Sequence, residues 1–169
     1  MKKTIWIILL ITILLTSCAS MLGFQTTATS IYQDEYTDIT YYTKDINFPI
    51  QMTGPWKTVL RTFHDDDTTF ILSLWVDRTW YFIDRAYFII DGKNYSFKAY
   101  DTKRRVDETR GVRESAYFNT SLEFIKELAY SSEAKVEFRG SGGSKEFIIN
   151  SSYREGLIEY LTFIENNPL

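Results

Sequence analysis

The sequence predicts an α+β fold: an antiparallel β-meander of about five strands followed by a helix, a β-hairpin and a second helix. Three observations lead there. Between residues 57 and 118 apolar residues alternate with polar ones, and turn-forming pairs interrupt the runs. Further on, two segments place apolar residues at helical spacing behind capping residues. The chain also carries 12 Tyr and 12 Phe, residues that a half-buried pleated surface uses well.

In order along the chain, "ASMLGFQTTATS" (19–30) is small and polar and reads as a tether. Residues 31–47 mix tyrosines with acids, and Asp38–Thr43 suits a first, irregular strand. Gly54-Pro55 punctuates the chain before the domain proper. One α+β domain is therefore expected over 49–169, and a chain cut to 50–169 is expected to fold.

"KTVLRTF" (57–63) is the first full strand. "TFILSLWV" (69–76) sets Phe70, Leu72, Leu74 and Val76 on one face. After the turn pair Asp77-Arg78, "WYFIDRAYFII" (80–90) is apolar on both faces except at Asp84 and Arg85, which predicts a central strand. Asp91-Gly92 is a strong hairpin signal. "NYSFKAY" (94–100) alternates cleanly, and a last meander strand falls within 110–118.

The period then changes. Thr120 and Glu123 form a capping-box pattern ahead of the stripe Leu122, Ile125, Leu128 and Ala129. "AKVEFRG" (134–140) and "KEFIIN" (145–150) flank the turn "GSGG". Ser152 and Glu155 start a last helix with the stripe Leu157, Tyr160, Leu161 and Ile164.

The first eighteen residues predict location. Met1-Lys2-Lys3 precedes "TIWIILLITILL", a run short for a membrane span and suited to a secretory signal core. It ends in Leu15-Thr16-Ser17-Cys18, which resembles the bacterial lipobox. That resemblance implies cleavage after residue 17 and lipidation of Cys18. The lack of aspartate at Ala19 and Ser20 implies the outer membrane. Two or three acyl chains anchor firmly where one binds reversibly. Cys18 is the only cysteine, so no disulfide can form within the chain. The stretch "WYFIDRAYFIIDGKNYSF" is similar to β-rich bacterial envelope domains, a resemblance that specifies no site.

Loss of Lys2 and Lys3 leaves 17 basic residues against 22 acidic, spread along the chain. No basic stripe suited to nucleic acid is visible. No cofactor is predicted. His64 is the only histidine, and no G-x-S-x-G elbow is present, which argues against a serine nucleophile. In "HDDD" (64–67), Asp65, Asp67 and Thr69 supply too few oxygens for calcium, and His64 with an aspartate is an incomplete transition-metal site. A solvated turn is the simpler reading, and no metal site is expected.

"GSGGSK" (140–145) fails the phosphate-loop spacing and reads as a flexible hairpin tip. Lys103, Arg104, Arg105, Arg110 and Arg113 are interleaved with acids and read as a solvated strand pair, with a headgroup or protein contact as the alternative. Asp84 is the acid that stands out. Buried, it would need a hydrogen-bonding partner or a raised pKa; the plainer roles are a turn or bulge position, or pairing with a cross-strand arginine. Trp56, Trp75 and Trp80 with the tyrosines suit either core packing or a sugar-stacking surface.

The leading expectation is a non-enzymatic, lipid-anchored module of the bacterial cell envelope that binds or scaffolds another envelope component. The second is a glycan or peptidoglycan binder contacting its ligand through Trp75, Trp80 and Asp84. The third is a carboxylate hydrolase using Asp84.

Overall fold

A computed structural model describes residues 27–48, 56–63, 67–76, 80–107 and 111–169. Cys18, His64–Asp66, Asp77-Arg78 and Arg110 lie outside these residues. Nine strands are described: β1 (Ser30–Gln33), β2 (Thr40–Asn47), β3 (Trp56–Phe63), β4 (Asp67–Val76), β5 (Ile83–Ile90), β6 (Lys93–Asp107), β7 (Gly111–Ser121), β8 (Ala134–Gly140) and β9 (Gly143–Ile148). Two helices accompany them, α1 (Leu122–Tyr130) and α2 (Ser151–Asn166).

All nine strands join one antiparallel sheet in the order β1-β2-β3-β4-β7-β6-β5-β8-β9. This overturns the expected α+β architecture of meander, helix, hairpin and helix: the fold is β-rich. β4 pairs with β7 rather than β5, and β5 lies between β6 and β8. Periodicity reports which face a residue occupies and not which strand sits beside it. The fifteen-residue β6 makes the rearrangement possible. Its first half pairs with β5 and its second with β7, with a register shift between Ala99 and Asp101.

The sheet also begins earlier than residue 49. β1 and β2 occupy 30–47, and Tyr42, Ile46 and Phe48 are core residues. Phe48, at the end of β2, stacks on Phe147 of β9 at 4.5 Å and on Tyr153 of α2 at 4.9 Å. The sheet therefore curls until its second and ninth strands meet over α2.

Both helices fill the concave face. α1 buries Phe124, Ile125, Leu128 and Ala129, and α2 buries Tyr153, Gly156, Leu157, Tyr160 and Leu161. The N-caps differ from expectation. Ser121 caps α1, accepting the Phe124 N–H at 3.1 Å, and Asn150 caps α2, accepting the Tyr153 N–H at 2.9 Å. Each satisfies an otherwise orphaned first-turn donor.

The α2–sheet seam is polar at its hydroxyls. Tyr153 Oη lies 2.6 Å from Thr58 Oγ1, and Tyr160 Oη lies 2.9 Å from Thr62 Oγ1. Burial pushes both phenols well above their ordinary range, so both rings stay neutral donors. Lys44, fully enclosed along its stem, reaches Glu159 at 2.7 Å.

Asp91 ties two loops together. Its backbone takes φ +46° in the turn between β5 and β6. Its carboxylate accepts the Ser132 hydroxyl at 2.6 Å and the Ser132 and Glu133 N–H groups at 3.0 Å each. The Ser132 hydroxyl above all, then the Glu133 N–H, hold its pKa below the ordinary 3.8. The native state thus binds this proton more weakly than the unfolded chain. The stabilisation is present above the ordinary value and is lost as pH falls through the lowered one. Asp91→Asn is expected to show a shallower loss of stability than wild type on the acid side of about pH 4, read by denaturant titration across pH. Identical acid limbs would show that Asp91 has no part in it.

Candidate ligand-binding face

The predicted site residues do not converge. Trp75 pairs through its backbone with Arg113 of β7; its side chain lies outside the described residues. Trp80 is partly buried and packs against the core, 6.4 Å from the Phe82 ring. Asp84 is exposed and sits where the β5–β8 register shifts between Ile83 and Arg85. Asp67 begins β4.

The buried carboxylate of this region is Glu114 on β7, with no exposed surface. It accepts three successive backbone N–H groups: Tyr81 at 3.1 Å, Phe82 at 3.0 Å and Ile83 at 2.6 Å. Arg104 of β6 stands 3.5 Å from it and 4.8 Å from the Phe82 ring. Phe82 is held at φ +54°, an unusual conformation for a bulky residue. On the other side of this segment, the Gly142 N–H donates to the Tyr81 carbonyl at 2.9 Å. A Cβ on Gly140 would stand 2.2 Å from the Phe82 carbonyl oxygen, and one on Gly142 2.2 Å from that of Trp80. The glycines of "GSGG" are therefore seats for a crossing backbone. With three N–H donors and Arg104 upon it, Glu114 is a clamp on residues 81–83, and its oxygens are not free to accept a substrate proton.

Sequence reading missed Glu114, although a signal exists. In "GVRESAYF" it falls in phase with Val112, Ala116 and Phe118, and an acid in an apolar register needs a dedicated partner.

A surface cavity of about 450 Å³ lies between β8, β9 and the start of α2, lined by Ile89, Glu133, Lys135, Ile148, Asn150 and Arg154. Arg154 spends Nη1 on the Ser131 and Ser132 carbonyls, both at 2.8 Å. Among the described residues no three of His, Cys, Asp and Glu gather as a metal cluster.

The helix-free face of β1, β2, β3, β4, β7 and β6 is different. Register aligns Tyr32, Tyr41 and Phe63 across its first three strands. Their ring centroids are 5.1 and 5.5 Å apart. Tyr32 is 48% exposed, while Tyr41 is buried beneath its neighbours and its phenol is pushed upward by that burial. In the adjoining row Thr43, Arg61, Thr69 and Asn119 lie opposite one another.

The Arg61 guanidinium stacks 5.2 Å over the Tyr41 ring. It makes no ion pair or hydrogen bond among the described residues, and its Nε is buried without a partner. Its charge contributes, as the smallest of several causes, to the lowered pKa of Asp34, which is held down mainly by the Tyr36 N–H. On the same face Lys103 lies 5.2 Å over the Tyr117 ring, and Arg105 pairs in register with Arg113. Lys57 is bonded to Asp45.

Arg61 was hard to single out from sequence. "KTVLRTF" alternates Thr58, Leu60 and Thr62 against Val59, Arg61 and Phe63, so both faces look mixed.

No protein-family profile matches this chain, and no curated protein matches it.

Proposed function

We propose that this protein is a lipid-anchored, non-enzymatic binding module of the bacterial cell envelope, whose helix-free sheet face receives a saccharide component of that envelope. One observation carries the reading: Arg61, stacked on Tyr41 with a buried Nε lacking a partner, beside the aligned rings of Tyr32, Tyr41 and Phe63. A buried donor without an acceptor costs roughly 1–3 kcal/mol, and the fold bears that cost where the guanidinium lies over Tyr41. Tyr32, the exposed end of that row, offers an apolar ring with a polar tip, which suits a sugar. The lipobox resemblance at Leu15–Cys18 supports the anchor. Among the described residues no helix is long and apolar enough to cross a membrane.

Two measurements test this reading. Fatty-acid labelling of cells should mark the wild-type chain and not Cys18→Ala, which should also leave the membrane fraction. Label on Cys18→Ala would remove the anchor claim. Co-sedimentation with purified cell-wall polysaccharide should fall in Tyr32→Ala with the melting temperature unchanged. Unaltered sedimentation would remove the tyrosine face.

The β1 edge favours a protein partner as a second reading. Ser30–Gln33 carries no charge or proline to block strand addition, and Ile31, Tyr36 and Ile39 are exposed beside it.

A further inference from the structure

We infer that the ligand of the helix-free face is an anionic saccharide chain whose carboxylates are held by Arg61. This rests on the binding face proposed above and names its ligand class.

The charge distribution carries the inference. The whole chain has a net charge of −3. Register nevertheless places Lys57, Arg61, Lys103, Arg105 and Arg113 on this face, against Asp45, Asp67 and Asp101 among residues whose side chains are described. Lys57 already answers Asp45, and Asp101 accepts the Thr102 N–H at 2.8 Å. Arg61 and Lys103 instead lie on aromatic rings. Arginine in particular presents a planar fork that matches a carboxylate.

The geometry favours a sugar over other polyanions. The rings of Tyr32, Tyr41 and Phe63 pack across three strands at 5.1 and 5.5 Å, and Tyr32 is the exposed end of the row. Arg61 lies one row along, flanked by Thr43 and Thr69, which add hydroxyls beside the guanidinium. A sugar seated on the half-exposed Tyr32 ring would carry its acid substituent toward Arg61, whose guanidinium covers the buried Tyr41. An acidic peptide side chain would satisfy the cations but leave the exposed Tyr32 ring without a ring face upon it.

The experiment uses the full-length chain in neutral detergent micelles. Three fluorescent polymers of matched length are titrated by anisotropy: polygalacturonate, neutral dextran and polyglutamate. Polygalacturonate is expected to bind, more weakly as salt rises, with dextran and polyglutamate each at least roughly tenfold weaker. Arg61→Gln should weaken polygalacturonate roughly tenfold, the scale of one lost charge-assisted hydrogen bond, and Arg61→Lys should recover part of it. Unchanged melting temperatures in both variants separate binding from folding. Dextran binding as tightly as polygalacturonate would overturn the anionic class and leave the saccharide-binding face standing. Polyglutamate binding as tightly would overturn the saccharide and indicate an acidic protein partner. Binding of none of the three would overturn the ligand class and the face together.

Discussion

Glu114→Leu is expected to be the most damaging single substitution in the described fold. The carboxylate satisfies the N–H groups of Tyr81, Phe82 and Ile83 in a place without solvent. Leucine of similar bulk would leave all three donors buried and unpaired, at about 1–3 kcal/mol each. It would also leave Arg104 facing apolar surface. A total of about 3–6 kcal/mol follows for partial relaxation, against a stability of about 5–15 kcal/mol for an ordinary domain. Glu114→Gln keeps one acceptor oxygen and is expected to lie between leucine and wild type. Denaturant unfolding of the three proteins checks the order. A leucine variant within about 1 kcal/mol of wild type would show that residues 81–83 find other acceptors when the clamp is removed.

The second large effect concerns the beginning of the sheet. A chain starting at residue 50 is expected not to fold, the reverse of what composition and punctuation suggest. The cut removes β1 and β2, and with them Tyr42, Ile46 and Phe48 from the core. Each apolar side chain contributes about 1.5–3 kcal/mol by burial. The loss also uncovers Leu60, Phe147 and Tyr153, which those residues help to enclose. The Lys44–Glu159 pair and the bond from the Tyr42 hydroxyl to the Asn167 carbonyl disappear with them. Near-ultraviolet circular dichroism should show a flat spectrum for 50–169 and a structured one for 27–169. A cooperative thermal transition in the shorter chain would show that β3 can serve as the edge of an independent sheet. Phe48→Ala is the milder version, at about 3–5 kcal/mol for a buried aromatic.

Most individual elements were legible. The alternation in 57–63 and 69–76 became β3 and β4, and the Asp91-Gly92 signal became the turn between β5 and β6, with both residues at positive φ. The stripes of both helices face the core as their spacing implied, apart from Leu122 and Ile164, which are only partly buried. These succeed because period and turn chemistry are local properties of the backbone. The strand within 80–90 was read three residues too early. Trp80, Tyr81 and Phe82 have strand-forming side chains, yet the Tyr81 and Phe82 N–H groups go to Glu114 instead of a neighbouring strand. Residues 31–47 were undervalued for the opposite reason. Only Asp38–Thr43 was read there as an irregular strand, but Lys44 and Asp45 are each paired and the aromatic rings pack.

What the sequence determined by itself is the local grammar: which segments extend, which coil, where they turn, and the lipobox-like Leu15–Cys18 that predicts an anchor. Tertiary structure alone decided that β4 seeks β7, that β6 serves two neighbours, and that Glu114 holds residues 81–83 while "GSGG" packs against residues 80–82. It also decided that Arg61 stands over Tyr41 with no ion pair among the described residues. The reason is physical. Periodicity encodes a direction for each side chain, whereas strand pairing and charge pairing depend on which distant segments a curled sheet brings within hydrogen-bonding reach.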